Sequence, residues 1–145
     1  MKVEEALQIL KDKGYKYTGK REKLIRICAA EKRYLSAKDI MERIKIDYPN
    51  LSFDTVYRNI STFVELGILE ETELDGEGKF RLACSADGHH HHHVICTECG
   101  KTSSLPGCPM NIMSAIPKDF EVTGHKFEVY GTCSDCASMG AASHR

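Results

Sequence analysis

Residues 52–67 read SFDTVYRNISTFVELG, and the fold turns on how that stretch is read. Ser52 is a helix N-cap, Val56, Ile60, Phe63 and Val64 recur at helical spacing as one apolar stripe, and Gly67 is a stop signal. The opposite side carries Thr55, Tyr57, Arg58, Asn59 and Thr62. Polar helix faces are ordinarily just solvated. These side chains are also hydrogen-bonding and cationic groups of the kind that reach base edges and phosphates from a helix in the major groove. The flanking sequence has to decide between the two.

Upstream, the pattern is a run of short helices. Val3, Leu7 and Leu10 share one helical face, and Gly14 closes that segment. A second helix follows Thr18, with Leu24, Ile25, Ile27 and Cys28 as apolar positions; Cys28 reads as a small core hydrophobe. Ser36-Ala37-Lys38-Asp39 has the spacing of a capping box and leads into Ile40, Met41 and Ile44, a third helix that must end before Pro49. Downstream, residues 68–74 and 79–83 are strand-like and are joined by Asp75-Gly76-Glu77-Gly78, a turn-rich connection. Three or four helices followed by a hairpin describe a winged helix-turn-helix. That strengthens the nucleic-acid reading of the polar face.

The charge distribution agrees. Residues 1–60 hold 14 Lys or Arg against 9 Asp or Glu, a net of +5, whereas residues 61–145 hold 6 against 12, a net of −6. A basic first half suits a polyanion, and an acidic second half rich in His and Cys suits cations. The start, MKVEEALQIL, carries acids where a secretory signal has a basic region, and no run approaches the ~20 apolar residues of a membrane span. The expectation is a soluble, cytoplasmic protein with no membrane partner. In a reducing compartment its seven cysteines are poor candidates for disulfides, and metal binding becomes the leading explanation for the paired ones.

Cys96-x-x-Cys99 and Cys133-x-x-Cys136 are two such pairs, and together they supply the four thiolates of a closed structural zinc site. Cys108 fits neither pair and reads as a spare thiol, and His144 lies in a tail to which no role falls. Five consecutive histidines, His89 to His93, run almost directly into the first pair. A cloning tag belongs at a chain end, so the run has to be explained by its neighbours. If it enters a strand continuing through Val94 and Ile95, His89, His91 and His93 share one face and His90 and His92 the other, so one segment could serve two metal sites. A solvated low-complexity tract with loose metal affinity is an equal alternative from the residues alone.

The order of these motifs resembles a known family. Thr18-x-x-Arg21, the helix carrying DTVYRNI, a short hairpin, HHHHH-x-I-C-x-x-C and a final C-x-x-C are similar to the ferric uptake regulator family of bacterial metal-responsive repressors, over the chain up to about Cys136. The resemblance implies an α+β protein with an N-terminal winged helix-turn-helix and a small C-terminal α/β dimerization domain. The corresponding boundaries are 1–84 for the DNA-binding domain, 85–92 for a hinge, 93–137 for the dimerization and structural-zinc domain, and 138–145 for a disordered tail. It also implies a homodimer on a palindromic double-stranded operator, with Arg21, Thr55, Tyr57, Arg58 and Asn59 as DNA-contacting residues.

Members of the family sense zinc, iron, manganese or peroxide. The zinc-sensing pattern of an acid, a cysteine and two alternate histidines falls here on Glu70, Cys84, His91 and His93. The positions where iron and peroxide sensors recruit a histidine and an acid fall near Tyr34 and Ser104, neither of which can serve. A thiolate with two imidazoles and one carboxylate also suits tetrahedral Zn²⁺ better than an octahedral oxygen-loving ion. The resemblance therefore points to the zinc-responsive branch, with one structural and at least one regulatory Zn²⁺ per chain. A further family site would use His90, His92 and His125, but the acid expected after the first cysteine pair falls on Asn111, a poor ligand; His125 can equally be an ordinary histidine beside a strand around KFEVY. Iron- or peroxide-sensing repression remains the alternative within the family. A zinc store or chaperone would explain the His and Cys content but not the basic first half. An enzyme is not expected, because the chain has no HExxH or comparable arrangement, and no small-molecule substrate is implied.

Overall fold

The computed structural model describes residues 1–84, 92–105, 115–123, 125 and 127–140. His89, His90, His91, Cys108, Asn111 and His144, for which the sequence analysis sets expectations, lie outside the described residues. The chain divides into two compact units, Met1–His89 and His90–Arg145.

In the first unit, helices α1 (Val3–Asp12), α2 (Gly19–Ala29), α3 (Ala37–Ile44) and α4 (Phe53–Glu65) precede a hairpin of β2 (Leu69–Leu74) and β3 (Glu77–Leu82). Local chemistry sets the helix ends. Thr18 caps α2 through the Arg21 N–H at 3.1 Å, and Ser52 caps α4 through the Thr55 N–H at 3.2 Å. Ser36 and Asp39 form a complete capping box at the start of α3, with bonds of 3.0 and 3.1 Å in the two directions. Gly67, at φ +76°, ends α4: its N–H donates to Val64 O and that of Ile68 to Phe63 O, satisfying carbonyls the helix cannot.

The apolar stripe of α4 is buried as expected, with Val56, Ile60 and Phe63 at most 1% exposed. Burial of each contributes about 1.5 to 3 kcal/mol of transfer free energy. They join a single core with Ala6, Leu24, Ile25, Cys28, Ile40 and Phe80. A two-residue strand, β1 (Leu35–Ser36), pairs with β3, making a three-stranded antiparallel sheet of order β1-β3-β2. The unit is a winged helix-turn-helix in which α4 is the outward helix and β2–β3 the wing.

The hairpin connection differs from its sequence reading. The turn is Asp75-Gly76 alone, both at positive φ (53° and 78°), and Glu77 and Gly78 already belong to β3. Two residues at positive φ twist in the same sense as the strands, which makes a tight turn preferable to a four-residue loop. The register follows: Leu74 pairs with Glu77 and Glu70 with Arg81.

The second unit is a small mixed sheet of order β5-β4-β6, built from β4 (His93–Cys96), β5 (Thr102–Ser104) and β6 (Glu128–Gly131), with helix α5 (Ser134–Gly140) after it. β4 is central, antiparallel to β5 and parallel to β6, and Ile95 on it is fully buried. Of the described histidines, His93 opens this strand, which continues through Val94 and Ile95, and His92 is buried just before it. Residues 138–140, expected in a disordered tail, are the last turn of α5. No helix among the described residues is long and apolar enough to cross a membrane.

Candidate metal centres and nucleic-acid interface

On α4, Thr55, Tyr57, Arg58 and Asn59 separate into two groups. Tyr57 is 48% exposed and stacks on Phe53, equally exposed, with ring centroids 5.9 Å apart. Arg58 beside it is exposed as well. Asn59 and Thr55 are instead half-buried and engaged within the protein. Asn59 Nδ2 donates to Thr55 O at 3.1 Å, and its Oδ1 accepts from Arg21 Nε at 3.2 Å. The Thr55 hydroxyl lies 2.9 Å from Ser52 Oγ. Arg21 also donates through Nη1 to Lys16 O at 2.6 Å and sits 5.5 Å from the Tyr15 ring centroid. The side chains this face leaves exposed are therefore Tyr57 and Arg58, while Arg21 and Asn59 bond α2 to α4. Phe53 was missed because an aromatic at the first helical position gives no signal by itself; its relation to Tyr57 at i, i+4 could have revealed it.

The four cysteines of the two C-x-x-C pairs come together in the second unit, their sulfurs all within 4.8 Å of one another. Cys96 ends β4, and the chain turns back so that the Gly100 N–H meets Cys96 O at 2.9 Å. Cys133 immediately precedes α5, which carries Cys136, and Thr97 N–H joins the two knuckles through Gly131 O at 2.9 Å. Cys99 Sγ and Cys133 Sγ are 3.8 Å apart. Two sulfurs sharing a tetrahedral zinc at ~2.3 Å each would be separated by about 3.8 Å, so the spacing fits that ion.

Electrostatics points the same way. Burial raises the Cys96 pKa, but N–H donation from Cys133 (3.3 Å), Cys99 and Glu98 outweighs it and brings the thiol down to about 6. Cys136 is pushed up to about 12, chiefly by its hydrogen bond with the Cys133 side chain and then by burial, and burial also raises Cys99. Four thiols this close cannot all ionise unless a cation offsets their charge. A dication would be that offset.

A second set of donors gathers at the mouth of the wing in the first unit. Glu70 on β2 and Cys84, two residues past β3, bring a carboxylate oxygen and a sulfur within 4.8 Å of each other. Arg81, directly across the ladder from Glu70, reaches both: its Nη1 is 3.1 Å from Cys84 Sγ and 3.7 Å from Glu70 Oε2. Arg81 was not singled out from the sequence, because the four-residue loop placed it elsewhere in the ladder. A carboxylate and a thiolate at this spacing suit a borderline-soft ion.

In the second unit, His93 opens β4 at 4% exposure, paired with Ser104 on one side and Glu128 on the other. His92, 5% exposed, places Nδ1 3.1 Å from Phe127 O and Nε2 3.2 Å from His125 Nε2. The backbone carbonyl fixes His92 as the Nδ1–H tautomer, which leaves Nε2 with its lone pair toward His125. Two imidazole nitrogens on one tetrahedral zinc stand about 3.3 Å apart, so this pair also has ligand geometry. Tyr34, expected near the position of an iron sensor's histidine, is buried, and Ser104 ends β5 as an exposed residue.

Against known proteins, residues 12–130 match the model of the ferric uptake regulator family. A ferric uptake regulation protein of Staphylococcus epidermidis is 47% identical over 136 residues, covering 94% of this chain and 96% of its own. One from Staphylococcus aureus is 46% identical, with 94% and 98% covered. Among solved structures, the Helicobacter pylori ferric uptake regulator, described as having three functional metal-binding sites, superposes with a TM-score of 0.71 at 21% identity over 94% of this chain and 95% of that one. A zinc uptake regulator complexed with zinc and DNA gives the same score and identity over 94% and 93%. At such identity the two structures establish the shared fold.

Proposed function

This chain belongs to the ferric uptake regulator family, and we propose that within it the protein is a zinc-responsive transcriptional repressor of zinc uptake genes. The observation that carries the zinc reading is the pairing of the Glu70 carboxylate with the Cys84 sulfur, within 4.8 Å, at the mouth of the wing. A thiolate donor favours Zn²⁺ over the harder Mn²⁺ and Fe²⁺, and His91 and His93 would complete a tetrahedral shell. We assign Cys96, Cys99, Cys133 and Cys136 to a structural zinc, and His92 and His125, with His90, to a further site.

A zinc ion on Glu70, Cys84, His91 and His93 would supply a four-ligand crosslink. The residues' own part is positional. Glu70 and Cys84 stand on the wing of the first unit, and His91 and His93 on the segment that starts the second, so holding all four restricts how the reading helix is presented. In a homodimer on a palindromic operator, two copies of α4 must meet successive major grooves. Fixing the units beforehand lowers the ordering cost of that encounter and makes the metal a corepressor. Tyr57 and Arg58 would then contact bases and phosphates. No catalytic role is assigned to any residue, and the cytoplasm is the compartment that reduced thiols require.

A second reading, iron-responsive repression, is favoured by the names of the Staphylococcus relatives at 46–47% identity. Titrating operator binding against buffered Zn²⁺, Mn²⁺ and Fe²⁺ separates the two. Activation by Zn²⁺ at the lowest free concentration supports the zinc reading, and activation by Fe²⁺ at a lower one replaces it.

A further inference from the structure

At the wing mouth Arg81 touches both donors and cannot itself ligate a metal. It lies opposite Glu70 in the β2–β3 ladder, so the two side chains leave the same face of the sheet. Its Nη1 is 3.1 Å from Cys84 Sγ and 3.7 Å from Glu70 Oε2. The Arg81 side chain is 13% exposed against 41% for Glu70, so the guanidinium is the more deeply set of the pair. The four-cysteine cluster is built differently. There Cys96 takes its stabilisation from the backbone N–H of Cys133, which carries no net charge.

We propose that Arg81 is an internal competitor for Glu70 and Cys84, and that it sets how much free zinc the regulatory site requires. The proposal rests on the assignment of Glu70 and Cys84 as regulatory ligands. A guanidinium keeps its charge at every physiological pH, so Arg81 cannot make way for a cation by losing a proton, as a lysine or histidine could. Lone pairs of the sulfur and the carboxylate that face Nη1 have to be turned to the metal instead. Arg81 must then either leave for solvent, giving up both contacts and its buried position, or stay as a fixed positive charge beside a dication. Each course opposes metal binding at this site and leaves the four-cysteine site untouched.

The same opposition has a consequence for selectivity. A fixed charge penalises every dication alike, whereas the gain from bonding a thiolate differs between them. Ions that bond sulfur weakly are therefore the first to fall below useful occupancy. Arg81 would act as a threshold that zinc clears and manganese does not.

The test uses the full-length protein with its structural zinc retained and the further site removed by His125→Ala in every variant, and reads the affinity of the additional zinc by competition with a chelator of known affinity. Arg81→Met removes the charge and keeps the length, Arg81→Gln removes the charge and keeps polarity, and Arg81→Lys keeps the charge. Folding of each is checked by circular dichroism, and having two neutral variants keeps the test open if one of them fails to fold. The neutral variants should bind the additional zinc at least about tenfold more tightly than the parent, with a parallel gain for Mn²⁺, while Arg81→Lys, whose ammonium can yield a proton to an incoming cation, falls between the parent and the neutral variants. Unchanged or weaker zinc binding in the folded neutral variant overturns the proposal. Cys84→Ser separates the two layers: if it leaves the additional zinc in place, the ligand assignment itself fails, whereas its loss together with unaltered affinity in Arg81→Met refutes only the role of Arg81.

Discussion

Arg21 on α2 donates through Nε to Asn59 Oδ1 on α4 over 3.2 Å, a bond between residues 38 apart in the sequence. With the Asn59 Nδ2 to Thr55 O bond, it makes the amide a brace for the outward helix. Asn59→Ala should therefore lower thermal stability, by about 1 kcal/mol for a partly buried hydrogen bond, with zinc content unchanged. Thermal melts of the two proteins check this; an unaltered melting temperature would remove the brace.

Arg58 should behave in the opposite way. It is exposed on the same helix, so Arg58→Ala ought to leave the melting temperature where it was and weaken operator binding by about 1 to 3 kcal/mol. Fluorescence anisotropy with labelled duplex measures the loss, and parental affinity in this variant would mean that α4 is not the reader.

For the four-cysteine centre, the prediction concerns folding. Metal affinity at a site whose ligands come together only in the native chain is part of the folding free energy. Cys96→Ser should lose one zinc per chain by elemental analysis, and the second unit should lose its structure. A folded variant that keeps the parental zinc content would show that these sulfurs hold no structural ion.

Cys84→Ser should have a narrower effect. The variant is expected to stay folded with its structural zinc, yet its operator binding should no longer respond to added Zn²⁺. A double His91→Ala, His93→Ala variant should match it, and full zinc-dependent binding in either would sink the regulatory assignment.

Cys28 supplies a pH prediction. Burial in the α2 core pushes its thiol from an ordinary value near 9 up to about 12. Because the folded-state value lies above the unfolded one, this contribution to stability is complete below pH 9 and is lost as pH rises toward 12. The loss amounts to about 4 kcal/mol for a shift of this size. Between those limits, denaturant midpoints of the parent should fall more steeply with pH than those of Cys28→Ala, although the variant is the less stable protein at pH 7. Parallel pH profiles would contradict the assignment.

Much of this molecule is written locally. The caps at Thr18, Ser36 and Ser52 and the stop signals at Gly14 and Gly67 were legible because each is a bond or dihedral requirement spanning only a few residues. The buried stripe of Val56, Ile60 and Phe63 was legible because helical period and burial coincide. β1 was not: two residues, Leu35 and Ser36, carry no periodicity, and they become a strand only because β3 offers its edge.

The hairpin shows where such reading runs out. Its strands and the Asp-Gly signal were visible, but assigning four residues to the connection would pair Leu74 with Lys79, and the two-residue turn pairs it with Glu77. That shift of two keeps every side chain on its expected face, so the hydrophobic pattern could not detect it. It nevertheless decides which residue stands opposite Glu70, and hence that Arg81, three residues before Cys84, also meets Glu70.

By itself the sequence determined the helix termini, the order of elements and the identity of the donors, the four paired cysteines above all, since thiolates at C-x-x-C spacing are dictated by covalent proximity. Only the tertiary structure decided which donors acquire which partners: His92 its tautomer from Phe127 O, 35 residues away, Asn59 its brace from Arg21, and Glu70 its cation, Arg81, from across the ladder. Those relationships depend on ladder register and on the packing of one element against another. Neither leaves a mark in the local pattern of residues, because many registers satisfy the same alternation of apolar and polar side chains, and only the turn geometry and the filled core choose among them.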